Sequence, residues 1–155
     1  MKIFFALALL IFSHTAFSAT ANVYEKSVPK DMESTYQNVY KALEDNGFYV
    51  IFEPNIGKNL ENFSEKWGKD YNQNKLESIR SMVFCSAWYA NQISNIDPSL
   101  LALCPLHITL THKAGRTTVL FIKPSAIAKG SAAEKIAKEL ESEIIKSLES
   151  GLNAN

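Results

Sequence analysis

Apolar and polar positions in the first third of the chain recur at spacings that predict a strand, a helix and a second strand. Val23–Val28 has the composition of a strand, and Asp31 is placed to accept hydrogen bonds from the free amides at the start of a helix. Asn46 and Gly47 end that helix, because both residues tolerate the left-handed backbone of a C-terminal cap. Residues 48–52 form an apolar run that predicts the second strand.

The middle of the chain carries further helical patterns on either side of a third strand. Apolar residues at spacings of four, three and four predict one helix that ends near Gly68, and these residues are Ile56, Leu60, Phe63 and Trp67. Residues 79–85 predict the strand, and Ser86 is placed to cap the helix that follows it. Asp97 before Pro98 then marks a short helical turn, because a proline at the first helical position loses no hydrogen bond.

The last third of the chain predicts a β-hairpin and a long helix. Leu106–Lys113 and residues 116–123 are rich in β-branched residues and are separated by a two-residue Ala-Gly turn. Ser131 and Glu134 have the spacing of a capping box at the start of a helix. The apolar stripe of that helix consists of Ile136, Leu140, Ile144 and Leu148.

Together these elements predict an α+β domain, with a mixed sheet, helices packed on one face, and a C-terminal β-hairpin followed by a long helix. Both alternating sets of the second hairpin strand are apolar, Val119 with Phe121 and Leu120 with Ile122. We therefore expect this strand to be covered on both faces. A homodimer that packs sheet faces together would cover it, and so would an internal pocket for a small-molecule ligand. The pattern leaves both arrangements open.

The N-terminal residues have the order of charge, apolar run and small residues that is typical of a cleavable secretory signal. Lys2 precedes the apolar residues 3–12, and an Ala-Thr-Ala motif predicts cleavage after Ala21, with an upstream Ala-Phe-Ser motif as a competing site. The apolar run is roughly half of the ~20 residues that a membrane-spanning helix needs. We expect a signal peptide over residues 1–21, no stable membrane anchor after cleavage, and one periplasmic or secreted domain over residues 22–155.

Charge and motif content narrow the classes of function. Loss of the signal removes one lysine and no acid, so 15 basic and 16 acidic side chains remain. A nearly neutral chain offers no electrostatic basis for binding nucleic acid. The sequence contains no motif for haem attachment, a zinc helix, a nucleophile elbow or a phosphate loop. The sequence therefore predicts no cofactor, no metal ligands and no catalytic residue. It favours a non-enzymatic protein and leaves an enzymatic activity open.

Two blocks of the sequence carry a resemblance to a known family. The first block runs from Gly47 through the second strand to Asn55 and the helix after it. The second block begins at Cys85 and passes an Asp-Pro pair to reach Pro105 and the hairpin. On these blocks the chain resembles the domain of unknown function 302 family over residues 36–124. The resemblance implies a compact α+β fold that often dimerises, and it implies no established activity.

The chain departs from the pattern of that family around both cysteines. The family typically has Asn-Pro after its first cysteine, where this chain has Ser86 and Ala87. It later has Leu-Pro-Cys, where this chain has Cys104, Pro105 and Leu106. Cys104 therefore stands two residues before the second cysteine of the family, and no role of that position is transferred to it.

Cys85 and Cys104 are the two cysteines of the chain. In an exported domain of this size they are first a candidate disulfide, because compartments outside the cytoplasm are oxidising. One ends a predicted strand and the other precedes the next, so we expect both at the same edge of the sheet, with 18 residues between them. The alternatives are a redox-active pair, a thiolate favoured by a helix N-terminus that binds a metal or an electrophile, and two unpaired, partly buried thiols.

Trp88, Tyr89 and His107 form a candidate pocket. The two aromatic residues closely follow Cys85 and are available to stack on a planar ligand, and His107 lies just after the entry to the hairpin. The alternative assigns the aromatic rings to the core and His107 to an ordinary polar strand position. His107 and His112 lie five residues apart on one strand, so their side chains are expected on opposite faces, which argues against a shared metal.

Two hypotheses of function follow from these features. The first is an exported, non-enzymatic binding or accessory module, because the apolar scaffold is intact and no polar groups converge on one point. The second is a thiol-dependent redox protein that uses Cys85 and Cys104.

Overall fold

The computed structural model describes residues 21–154, so the predicted signal peptide lies outside the described residues except for Ala21. The strands are β1 (Val23–Val28), β2 (Tyr49–Phe52), β3 (Ser78–Cys85), β4 (Leu106–Lys113) and β5 (Arg116–Ile122). The α-helices are α1 (Met32–Asp45), α2 (Ile56–Glu61), α3 (Ser64–Trp67), α4 (Ala87–Ile96), α5 (Pro124–Ile127) and α6 (Glu134–Asn153). Two 3-10 helices complete the described part, Gly68–Asp70 and Pro98–Leu103, and the second is called the leucine 3-10 helix below. No helix in this part is long and apolar enough to cross a bilayer.

The five described strands form one sheet in the order β1-β5-β4-β3-β2, and all their pairings are antiparallel. The α+β class and the long last helix are confirmed, whereas the sheet is antiparallel and not mixed. The difference arises because α1 carries the chain from one edge of the sheet to the other, so that β1 and β2 are never neighbours. In the centre of the sheet Phe84 of β3 lies opposite Leu106 of β4, which brings the end of β3 beside the start of β4.

The β4–β5 hairpin closes as its sequence predicts. Lys113 pairs with Arg116, and the two residues between them have positive φ angles, 50° at Ala114 and 72° at Gly115. Two consecutive left-handed residues form the tight turn whose twist matches that of antiparallel strands.

α1 and α6 pack on one face of the sheet and enclose the core. Tyr36 of α1 is fully buried, its hydroxyl donates to the carbonyl of Ser81 at 3.1 Å, and the Arg80 guanidinium carbon lies 3.6 Å from the centre of its ring. These contacts fix α1 over β3. The other core side chains are Val28, Val39, Leu43, Phe48, Met82, Phe84, Ile93, Ile108, Leu110, Val119, Phe121, Leu140, Ile144, Leu148 and Leu152.

Gly151 lets α6 approach the backbone of α1. A Cβ atom at this position would lie 2.7 Å from the Cα of Val39 and 2.9 Å from the carbonyl oxygen of Asn38. Both atoms belong to the backbone of a helix and cannot rotate away. The absence of a side chain therefore sets the closest approach of these two helices.

A backbone N–H of the edge strand β2 is hydrogen-bonded to a side chain of α1. The backbone N–H of Val50 donates to the Glu44 carboxylate at 2.7 Å. Tyr49, Ile51 and Phe52 on the same strand each expose more than half of their surface. The Glu44 carboxylate therefore satisfies the Val50 N–H, a hydrogen-bond donor on an apolar edge strand.

The prediction of one continuous helix that ends near Gly68 is wrong. The structure divides it into α2 and α3, with a break at Asn62 and Phe63. Phe63 and Trp67 stack on each other with ring centres 5.1 Å apart, and both remain exposed by 40% or more. Their spacing therefore reflects a local aromatic pair and not a helical face on the core.

Two predicted helix caps differ in the structure. Ser86 occupies the N-cap of α4 without a capping hydrogen bond from its side chain. The capping box is wrong, because Ser131 donates to the carbonyl of Ala128 and α6 begins after Ala133. Glu134 accepts instead from the N–H of Gly130.

The face of the sheet opposite the helices is open within the described chain. Val119 and Phe121 are buried beneath the helices, while Leu120 is half-buried and Ile122 is 49% exposed. The sequence predicts that β5 is covered on both faces, but within residues 21–154 only the face toward the helices is covered. A homodimer through this face stays a prediction.

Candidate functional site

Cys85 and Cys104 meet where β3 ends and β4 begins. Cys85 is the last residue of β3, and Cys104 follows the leucine 3-10 helix. Because Phe84 lies opposite Leu106, the two cysteines lie diagonally across the strand ends. Their sulfur atoms are 2.8 Å apart, and both are free thiols. A disulfide bond is about 2.05 Å long, so the predicted disulfide is not formed in this structure and stays a prediction.

The surroundings of Cys104 favour its neutral thiol. Burial raises the pKa of Cys104 to about 11, and the neighbouring Cys85 contributes in the same direction. The thiolate is the nucleophilic form of cysteine, so Cys104 is a poor nucleophile at neutral pH. Among the described residues that line the cavity beside it, none is basic.

Alkylation of the folded protein, with both cysteines first reduced to thiols, tests this description of Cys104. We expect its rate of reaction with iodoacetamide to rise with pH toward a midpoint near 11, because only the thiolate reacts. In the Cys85→Ser variant the midpoint should fall, since the neighbouring thiol no longer disfavours the charge, but burial should keep it above 9.0. Peptide mass spectrometry after timed labelling measures each cysteine separately. A midpoint at or below 9.0 in the folded wild-type protein would contradict the description.

A small cavity lies beside the cysteine pair. Its volume is about 20 Å³, and Tyr89, Ile93, Leu103 and Leu140 contribute to its walls. This volume suffices for one water molecule and for no larger ligand. The ring of Tyr89 is stacked on Phe48 with centres 6.2 Å apart and planes inclined by 10°, so Tyr89 packs against the core.

A larger apolar groove, called the Ile127 groove, lies on the other side of the leucine 3-10 helix. Its volume is about 290 Å³. It is lined by Leu100, Ala102, Leu103, Pro105, Leu106, His107, Phe121, Ile122 and Ile127. Of these described residues His107 alone is ionisable, so the groove offers an apolar surface with one polar end.

The three residues of the predicted pocket lie in different places. Tyr89 borders the cysteine cavity, and His107 borders the Ile127 groove. Trp88 borders neither of them and is 64% exposed. His112 faces the helix side of the sheet, where its Nδ1 atom lies 2.9 Å from the Thr117 hydroxyl. The two histidines therefore occupy opposite faces, as their spacing predicts.

His107 is the only groove residue that the sequence predicted as a site residue, and the two exposed isoleucines at the rim are among those it missed. Ile122 belongs to the doubly apolar strand β5 and was interpreted only as a covered position. Ile127 lies in α5, a helix of four residues that no periodicity can reveal. The groove depends on three separate segments, the leucine 3-10 helix, β4 with β5, and α5.

A third cavity lies at the opposite end of β3, next to α2. It measures about 390 Å³ and mixes charges of both signs, from Lys58, Glu61 and Glu77. No buried side-chain nitrogen or oxygen in residues 21–154 lacks a hydrogen-bond partner, so no orphaned polar group points into it. The chemistry of this cavity therefore specifies no ligand.

The fold and the site define a small α+β domain, with a five-stranded antiparallel sheet that carries a dithiol and an apolar groove at one end. The family model described as "Domain of unknown function DUF302" matches residues 24–151, and the chain belongs to this family. A crystal structure of an uncharacterized conserved DUF302 protein from Bacillus stearothermophilus is similar, with a TM-score of 0.72 and 18% identity. The similarity covers 84% of this chain and 98% of the other, and it shows the fold alone. No significant match is found among curated proteins.

Proposed function

We propose that the mature chain is a non-enzymatic binding protein of the exported compartment, whose ligand is a small and largely apolar molecule held in the Ile127 groove. One observation carries the proposal: a concave surface of about 290 Å³ that is apolar apart from His107. Ligand sites of small molecules are typically concave, mostly apolar and furnished with a few polar groups, with volumes from roughly 300 Å³ upward. At about 290 Å³ the groove lies just below that range, so the ligand is expected to be small.

The exposure of the groove supports binding of an apolar ligand. Ile122 and Ile127 are 49% and 59% exposed at its rim, while Phe121 is buried beneath it. A ligand that covers the two isoleucines removes apolar surface from water, which stabilises the complex by about 25 cal/mol per Å² covered. His107 stands exposed at the same groove and is available to hydrogen-bond one polar end of the ligand.

Export is part of the proposal and rests on the sequence of residues 1–21. Cleavage after Ala21 leaves the sheet complete, because β1 begins at Val23. The carbonyl of Asn22 accepts the N–H of Lys123 at 2.9 Å, so the first mature residue already extends the pairing of β1 with β5.

A thiol-dependent redox activity is the second candidate function. The separation of 2.8 Å between the Cys85 and Cys104 sulfurs favours it, because a dithiol so placed can close with little backbone movement. Catalytic cysteines usually lie in electropositive surroundings that stabilise the thiolate. The raised pKa of Cys104 and the apolar cavity beside it argue against a redox activity, because both disfavour the thiolate. We therefore place this activity second.

Substitution at the rim of the groove tests the proposed binding. We expect Ile127→Glu to weaken binding of the neutral fluorescent dye phenylnaphthylamine by about tenfold or more, because the ligand must then cover a carboxylate. Ile127 is largely exposed, so the fold should survive the change. Fluorescence titration of the mature protein measures the affinity.

Ile51→Glu is the matched control for this titration. Ile51 is 62% exposed on β2 and lies outside the groove, so the same chemical change there should leave dye affinity unaltered. Equal loss in both variants, or no loss in Ile127→Glu, would show that the dye does not bind in the groove. Absence of dye binding by the wild-type protein would count against the proposed function directly.

A further inference from the structure

The segment over residues 86–103 leaves the sheet and returns to it between the two cysteines. It consists of α4 and the leucine 3-10 helix, with Cys85 just before it and Cys104 just after it. Ile93 is its one buried residue. A segment with so few buried side chains belongs to the part of a protein that opens locally at low cost in free energy.

The leucine 3-10 helix forms a wall shared by the cysteine cavity and the Ile127 groove. Leu100 and Leu103 line both of them, and Leu106 at the start of β4 does the same. Movement of this helix away from the sheet would therefore open the small cavity and change the shape of the groove at the same time.

The two sulfurs lie at the base of this wall. Cys104 caps the C-terminal end of the leucine 3-10 helix, and Cys85 belongs to β3, which is held in the sheet by both neighbouring strands. A bond between them would fasten this end of the wall directly to β3. In the free-thiol form the contact between Cys85 and Cys104 is a single 2.8 Å thiol–thiol hydrogen bond, which is weaker than a covalent bond.

We propose that Cys85 and Cys104 form a redox latch: the disulfide holds the leucine 3-10 helix in the position that shapes the Ile127 groove, and reduction releases it. The regulation of ligand binding by this latch rests on the proposed binding function. The thiol form described above already has the groove, and in the proposal this form opens locally. The oxidised protein keeps the groove in one conformation, whereas the reduced protein loses affinity because the wall must be ordered again when the ligand binds.

The closing step balances through thiol-disulfide exchange. The oxidant is another exported protein that carries a disulfide, called the donor here. One of the two cysteines loses its proton and attacks the donor disulfide. A mixed disulfide forms, and the first thiol of the donor leaves. The second cysteine loses its proton and attacks the mixed disulfide, so the Cys85–Cys104 bond forms and the second donor thiol leaves. The pair gives up two protons and two electrons, and the donor is reduced to a dithiol.

Hydrogen exchange of the mature wild-type protein in both redox states tests the latch without any ligand. Alkylation and mass measurement first establish that the thiols are bonded in one sample and free in the other. We expect short-time exchange at residues 100–103 to be slower by about tenfold or more in the oxidised protein. The amides of Ile108 and Leu110 in the central strand β4 should remain protected in both states over the same times.

Titration with phenylnaphthylamine in both redox states then tests the effect on the groove. We expect the oxidised protein to bind the dye about fivefold or more tightly, and the Cys85→Ser variant to bind equally in oxidant and reductant. Equal exchange at residues 100–103 in the two states, or equal dye affinity, would overturn the latch while leaving the binding function intact. If Ile127→Glu binds the dye as tightly as the wild-type protein, the binding function is overturned. Hydrogen exchange at residues 100–103 still tests the latch in that case, because it needs no ligand.

Discussion

Oxidation of Cys85 and Cys104 to a disulfide is expected to raise the free energy of unfolding by about 3 kcal/mol. In the chain-entropy model this is the stabilisation given by closing a loop that holds 18 residues between its cysteines. The native geometry adds little cost, because the sulfurs already lie 2.8 Å apart in the thiol form. For a domain of this size the change corresponds to a rise of roughly 10 °C in the melting temperature. Calorimetry of the mature protein with and without reductant measures it.

The double variant Cys85→Ser with Cys104→Ser is the control for this measurement. Its melting temperature should not respond to reductant and should lie near that of the reduced wild-type protein. If the wild-type protein melts at the same temperature in both states, although alkylation shows that the bond forms, the closed loop confers no stability. If the thiols stay free after exposure to an oxidised dithiol donor, the predicted disulfide is wrong.

Gly151→Ala is expected to destabilise the fold by about 1 kcal/mol or more. The added methyl group would lie 2.7 Å from the Cα of Val39, so α6 must move away from α1 and lose packing along its length. Overpacking of this kind costs typically 1–3 kcal/mol. Alanine returns up to about 1 kcal/mol through its higher helix propensity. The steric term should win because the opposing atoms belong to the backbone.

Ser150→Ala separates the steric effect from the change in helix propensity. Ser150 is exposed on the same turn of α6, so its replacement should leave stability unchanged or raise it by a few tenths of a kcal/mol. Chemical denaturation of both variants gives the two free energies. Equal stability of Gly151→Ala and the wild-type protein would mean that the helices separate at no cost, contrary to the packing described.

The sequence predicted those elements whose ends are set by local hydrogen bonds or by backbone conformation. The Asp31 carboxylate accepts from the N–H of Ser34 at the start of α1, and left-handed residues close the hairpin at Ala114 and Gly115. These effects act within a few residues, so a sequence shows them directly. The break before α3 was not predicted, because apolar spacing does not reveal that Phe63 packs on Trp67 and not on the core.

The site was predictable only in part, for a related reason. The meeting of Cys85 and Cys104 follows from the ends of two neighbouring strands, which a hairpin pattern and a strand boundary can indicate. The Ile127 groove joins segments that are distant in sequence, and no local pattern contains it. The pocket of Trp88, Tyr89 and His107 was divided because successive residues of a helix point about 100° apart, so Trp88 faces solvent when Tyr89 packs inward.

The carboxylate of Glu44 at the edge strand β2 bears on solubility. An edge strand with unpaired donors and exposed apolar side chains is a template onto which strands from other molecules can add. Tyr49, Ile51 and Phe52 make β2 attractive for such addition, but the N–H of Val50 is already taken by Glu44. An incoming strand must first displace that carboxylate and leave its charge beside an apolar surface. A single acidic side chain from α1 thereby leaves one backbone donor fewer for strand addition at this apolar edge.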